Sequence, residues 1–197
     1  LDWNRGGYFA VTPAEPYRVR REYQPESLIL VTTFSTRTGA ARLVDFFAMR
    51  SGGRLHPRRE LIRVIHGLRG QIRFDVNIVP RLDFGEVKPW IYASGAGAHS
   101  AVGSNTGLRI FGDVPLKPCN DHDLSARVEV RRGEIYHLGL QFFPPDETQK
   151  PRSARQDIAA MKAHYLETRQ WWRDWVGKVR YRDGHGVSIM RSAITLK

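Results

Sequence analysis

Hydrophobic and polar residues alternate with a period of two over most of the stretch from Pro25 to Phe143. Residues 71–78 are the cleanest case: Ile72, Phe74, Val76 and Ile78 fall on one face, and Arg73, Asp75 and Asn77 on the other. Successive strand side chains point to opposite faces, so this pattern predicts a strand packed on one side and wet on the other. Residues 126–130 and 134–142 repeat it, and Arg131-Arg132-Gly133 between them supplies a hairpin turn. Residues 27–35 and 41–49 flank a second turn, Thr36-Arg-Thr-Gly39, and residues 61–66 and 72–79 flank Gly67-Leu-Arg-Gly70 in the same way. Short strands joined by glycine turns predict a mainly β fold, an antiparallel β-sandwich whose two sheets pack apolar face to apolar face. Strands and helices do not alternate along the chain, which excludes a Rossmann-type sheet.

After Pro144-Pro145 the period changes. Ile158, Met161, Tyr165, Thr168, Trp172 and Trp175 are spaced three or four apart and share one helix face. Ser153 and Gln156 have capping-box spacing, and Gly177 stands where a C-terminal cap is expected. The pattern predicts a helix over residues 154–176, more than 20 residues long, with an aromatic stripe that must lie against something. A second helix is expected to begin near Val187.

Composition changes this picture little. The 31 Lys and Arg exceed the 20 Asp and Glu, for a formal net charge of +11, and this excess raises the question of nucleic acid. The distribution argues against it: +5 falls in residues 1–150 and +6 in residues 151–197, and the densest clusters, Arg18-Val-Arg-Arg21 and Arg58-Arg59, are each followed directly by Glu. Neither nucleic acid nor membrane is therefore an expected partner, and no apolar run nears the ~20 residues that span a bilayer. One cysteine, Cys119, excludes an internal disulfide and fits a reducing compartment. The chain starts at Leu1-Asp2-Trp3, with no basic start and apolar stretch after it. It reads as a fragment of a longer protein whose N-terminus is missing, with a cytoplasmic location expected.

Candidate chemistry is sparse. Cys119-Asn-Asp-His-Asp123 offers metal-ligand types but has no second cluster to converge with, so it reads as a polar loop, and no metal or cofactor is expected. Ser94-Gly-Ala-Gly-Ala98 is glycine-rich but is followed by strand-like residues where a phosphate loop needs a helix, so residues 94–107 read as a hairpin or surface loop. Two carboxylates stand out as possible proton donors. Asp45 lies in an apolar strand, facing inward or to solvent, and Asp83 follows Pro80-Arg-Leu82, where it could pair with Arg81. Trp171 lies off the helix stripe and is the aromatic freest to stack on a sugar ring.

Several segments together resemble a known family. Tyr23-Gln-Pro-Glu-Ser-Leu-Ile-Leu-Val-Thr-Thr-Phe34, Gly39-Ala-Ala-Arg-Leu-Val-Asp-Phe-Phe47 and Leu61-Ile-Arg-Val-Ile-His-Gly67 come first. Pro80-Arg-Leu-Asp-Phe-Gly85 with Pro89-Trp90, and Gly112-Asp-Val-Pro-Leu116, follow in the same order. The ending Trp171-Trp172…Trp175, Tyr181-Arg-Asp-Gly184 and Met190-Arg-Ser-Ala-Ile-Thr-Leu-Lys197 completes the set. The chain thus resembles the N-terminal domain of bacterial and archaeal glucoamylase/trehalase-type enzymes, glycoside hydrolase family 15. The resemblance implies a supersandwich-like β-sandwich at residues 1–148 lacking its first strands, a linker helix at 149–178, and at 179–197 the entry to an (α/α) catalytic barrel. It also implies that the catalytic glutamates follow Lys197, so no catalytic residue falls on this chain. The expected role is a non-catalytic domain of an inverting α-glucoside hydrolase, with its own barrel as partner and glucan or trehalose as the parent's substrate. Ile158, Met161, Tyr165, Trp172, Trp175 and Arg191 are the candidate interdomain contacts, and Trp171 and Asp83 candidates for a cleft rim or sugar stacking. The alternatives are a free-standing carbohydrate-binding sandwich module and, third, a basic nucleic-acid-binding protein.

Overall fold

A computed structural model describes residues 5–53, 55–144, 153–179 and 186–197. The element order is β1 (Tyr8–Pro13), β2 (Arg18–Tyr23), β3 (Leu30–Ser35), β4 (Gly39–Phe47), β5 (Glu60–Val79), a 3-10 turn (Asp83–Gly85), β6 (Trp90–Gly95), β7 (Ala98–Gly103) and β8 (Thr106–Gly112). Then come β9 (Lys117–Asn120), β10 (Asp123–Arg131), β11 (Ile135–Phe143), α1 (Ala154–Val176) and α2 (Gly186–Leu196). All strand pairing is antiparallel. The larger sheet runs β2-β3-β4-β5-β11-β8-β7-β6, and the smaller one β1-β5-β10-β9. The architecture is an antiparallel sandwich followed by helix, as the periodicity predicts.

β5 belongs to both sheets. Its first half pairs with β4 and β11, and its second half with β1 and β10. The expected break at Gly67–Gly70 is therefore corrected: one 20-residue strand crosses between the sheets there. The glycines explain how. A side chain at Gly67 would meet the Arg131 carbonyl oxygen at 2.0 Å, and Gly70 has φ +55°. Of the two readings of residues 94–107, the hairpin is the one realised: β6 and β7, then β7 and β8, pair antiparallel through tight turns. β1 and β2, upstream of the alternating stretch, were not expected.

Two cores lie on the two faces of the large sheet. Between the sheets, Phe34, Leu43, Ile65, Ile72, Phe74, Val76 and Ile78 pack with Ile110, Leu124 and Leu138. The alternation at 71–78 is realised as read, with Ile72, Phe74, Val76 and Ile78 buried. On the outer face, Ile29, Phe46, Ile62 and Phe111 receive Met161, Ile158 and Tyr165 of α1. The helix starts where expected, with the capping box formed: Ser153 Oγ accepts from the Gln156 N–H at 3.3 Å, and Gln156 Oε1 accepts from the Ser153 N–H at 2.9 Å. Gly177 is the C-cap, in right-handed conformation.

The aromatic stripe thus faces this chain's own sandwich. Met161 and Trp172 are buried, with Ile158, Tyr165 and Trp175 half-buried. Trp172 and Val176 pack on Ile194 of α2. The surface expected to await a further domain is in large part already covered, because α1 folds back across the large sheet instead of projecting from it. The expected domain boundary near residue 148 and the segment 181–184 lie outside the described residues.

Candidate functional site

The strand registers bring one set of loops to one end of the sandwich. β4 finishes there at Phe47, opposite Leu61 near the start of β5, and β11 finishes at Phe143, opposite Gly107. The β2–β3 connection (residues 24–29), the β4–β5 loop and the turn after β5 all emerge at this end. α1 runs toward it across the sheet, fixed by polar contacts in order along its length. Asp157 takes a bidentate pair from Arg109 at 2.6 and 3.1 Å, His164 meets Glu60 at 2.7 Å, and Arg58 donates to Glu167 at 2.5 Å. Thr168 Oγ1 then accepts from the Met49 N–H at 2.9 Å. Arg191 of α2 donates twice to the Ser27 carbonyl, at 2.9 and 3.0 Å, and its guanidinium lies 4.3 Å from the Tyr23 ring centroid.

Beside the end of α1 is a cleft of about 530 Å³ lined by Phe47, Arg50, Arg58, Glu60, Trp171 and Lys197, among others. Trp171 is half-exposed, packed edge-on against Trp172 at 4.9 Å between centroids, with the Lys197 ammonium 5.9 Å from its ring. Phe47 is 70% exposed. Nε and Nη1 of Arg58 are buried without a hydrogen-bond partner among the described residues, and a buried donor left unmet costs about 1–3 kcal/mol. Glycoside hydrolysis needs two carboxyls across the scissile bond. Among the residues lining this cleft Glu60 is the only carboxylate, and His164 holds it.

Asp83 lies at the same end but on the far side. Four steps of strand order separate β4 from β7, roughly 19 Å at strand spacing. Trp171 and Asp83 therefore share a surface and not a site. Asp83 accepts from Ser104 Oγ at 2.6 Å, so the expected Arg81 partner is corrected: Arg81 pairs with Asp123 at 2.6 Å. Asp83 and Phe84 hold left-handed φ of 48° and 58°, and this turn presents Phe84 at 96% exposure. Nearby, Trp90 packs on His122 at 4.9 Å between centroids.

The other candidates resolve as structural. Asp45 faces inward and pairs with Arg63 at 3.0 Å; burial raises its carboxyl above the usual range, outweighing the attraction of that guanidinium. Residues 119–123 form the end of β9 and a tight turn into β10. There burial pushes the Asp123 carboxyl up, but hydrogen bonds from Arg81 and Asn120 prevail and hold it below its ordinary value. Among the described residues, three or more His, Cys, Asp or Glu side chains nowhere gather as a metal site would need, and no helix is long and apolar enough to cross a membrane.

No family model matches the chain. Curated relatives do. A trehalase of Thermoplasma volcanium is 25% identical over 214 aligned positions that take in 100% of this chain and 31% of that one. A trehalase of Thermoplasma acidophilum is 25% identical over 215 positions, covering 100% and 33%, and a trehalase of Mycobacterium tuberculosis is 25% identical over 199, covering 90% and 28%. Among solved structures, a putative kojibiose phosphorylase from the human microbiome aligns with a TM-score of 0.48 at 10% identity, over 84% of this chain and 27% of that one. The chain spans about a third of the length of the curated relatives it matches. The sequence similarity relates this chain to glycosidases.

Proposed function

We propose that the chain is a non-catalytic N-terminal domain of an inverting α-glucoside hydrolase of the glucoamylase/trehalase type, and that it packs on the catalytic barrel of its parent. The parent's substrate is a glucan or trehalose. The observation that carries this reading is α2. Met190 and Ile194 turn inward onto Trp172 and Val176, while Ile189 and Leu196 stand exposed on the opposite side, Leu196 at 87%. A helix apolar on both sides is a helix meant to be buried on both. The exposed Phe47 adjoins Trp171 and Lys197 in the same cleft, so the apolar surface continues from helix to sheet.

The test is an assay of the 197-residue chain against trehalose and maltooligosaccharides. No hydrolysis is expected, and robust hydrolysis would overturn the reading. A carbohydrate-binding module is the second reading, favoured by Trp171 and Phe47 flanking one cleft. Titration with maltooligosaccharides separates the two. A packing domain does not bind them, whereas a module does, and loses that binding on Trp171→Ala.

A further inference from the structure

A second concavity lies on the outer face of the large sheet, toward the other end of α1. Its floor is two rows of residues set by the strand register. Arg42, His66 and Ile135 lie side by side across β4, β5 and β11, and Val44, Val64 and His137 form the next row. α1 forms one wall through Met161, Lys162 and Tyr165, and the groove encloses about 410 Å³. That volume suits one small molecule.

Its charge is one-sided. Among the described residues, no carboxylate lines it. Arg42 and Lys162 have no carboxylate partner among the described residues, whereas the half-buried or buried Arg63, Arg81 and Arg109 each have an aspartate. The His66 ring makes no hydrogen bond among the described residues. His137 is held from behind, its Nδ1 lying 3.0 Å from Asp113 Oδ2. Arg42 and Lys162 thus line one groove with an apolar floor, and among the described residues neither has a carboxylate partner.

We propose that this groove binds a phosphate dianion. A carboxylate would neutralise only one of the two fixed charges, whereas a phosphate monoester carries close to two negative charges at neutral pH. The planar guanidinium of Arg42 can take two of its oxygens and the ammonium of Lys162 a third. Val44, Val64 and Tyr165 leave room for a sugar-sized body carrying the phosphate. The inference is independent of the proposed function, because it uses neither α2 nor the cleft at Trp171.

Calorimetric titration of the 197-residue chain with glucose 6-phosphate, inorganic phosphate and glucose tests it. Glucose 6-phosphate is expected to bind at least tenfold more tightly than glucose, and Lys162→Gln and Arg42→Gln each to weaken it about tenfold. Inorganic phosphate binding more weakly than the ester supports a phosphorylated sugar as the ligand, and equal binding supports free phosphate. Lys162 is exposed on α1, so Lys162→Gln is a fair test even if Arg42→Gln fails to fold. The proposal is overturned if neither phosphate binds at millimolar concentration, or if their binding is unchanged in Lys162→Gln.

Discussion

The two faces of the large sheet are built differently. The face toward the small sheet is almost wholly apolar, with Ile65, Ile110 and Leu138 fully buried against Phe74, Val76 and Ile78 of the small sheet, and Arg63–Asp45 near the end of the sandwich. The face under α1 alternates apolar patches with polar pairs: the ion pairs Arg109–Asp157 and Arg58–Glu167, and the His164–Glu60 hydrogen bond. An apolar interface is favourable in many registers, because hydrophobic burial has no direction. Two sheets do not need more, since strand pairing through β5 already fixes how they lie. A single helix on a sheet has no such ladder to fix it. Charged pairs at successive points along α1 supply the orientation that apolar contact leaves free.

The largest effect should come from breaking the apolar face. Phe74 is fully buried and packs edge-on against Phe34 at 5.6 Å between centroids. Phe74→Ala should destabilise by about 3–5 kcal/mol in denaturant unfolding, with the whole sandwich unfolding together. A loss under about 1 kcal/mol would show that the two sheets are not one cooperative core.

The polar face breaks in another way. Asp157→Ala leaves the Arg109 guanidinium buried and unpaired, and should cost about 3 kcal/mol. Replacing both partners, Arg109→Met with Asp157→Leu, should recover most of that stability. What the double variant should not recover is placement. Hydrogen exchange of the α1 amides is expected to rise relative to the β5 amides. If exchange in α1 is unchanged, the ion pair does not orient the helix.

The same contrast explains what could be read from the sequence. Local features were legible. The alternation at 71–78, the capping box at Ser153 and the span of α1 depend on residues a few positions apart. β2 was not, because Arg-Val-Arg-Arg-Glu-Tyr is an edge strand exposed along its whole length, with no alternation to show. Asp157 reads in sequence as an acid in the first turn of a helix, and its partner lies 48 residues away. Gly67 and Gly70 were visible as special positions, but whether they end a strand or bend it depends on Arg131 across the sheet. That Trp171 and Asp83 emerge at one end, yet four strand steps apart, follows only from the strand order.

The smallest expected effect separates the two faces by proton. His164, under α1, faces Glu60. His99 of β7 alternates to the face of Ala101, beside Ile110 across the ladder, and its buried Nδ1 has no partner among the described residues. Burial lowers its pKa below the ordinary value of 6.5. In the unfolded chain His99 takes up a proton as pH falls through 6.5, while in the folded chain it resists doing so. The unfolded state therefore binds more protons below that point, and stability falls with falling pH from about 6.5 until the lowered folded value is passed. His99→Gln removes this contribution, so the stability of the variant should decline less steeply than that of the parent chain between pH 6.5 and 5. The difference amounts to less than one proton in the slope, measured by denaturant unfolding at several pH values. Parallel slopes would mean that His99 takes up its proton as readily in the folded chain as in the unfolded one.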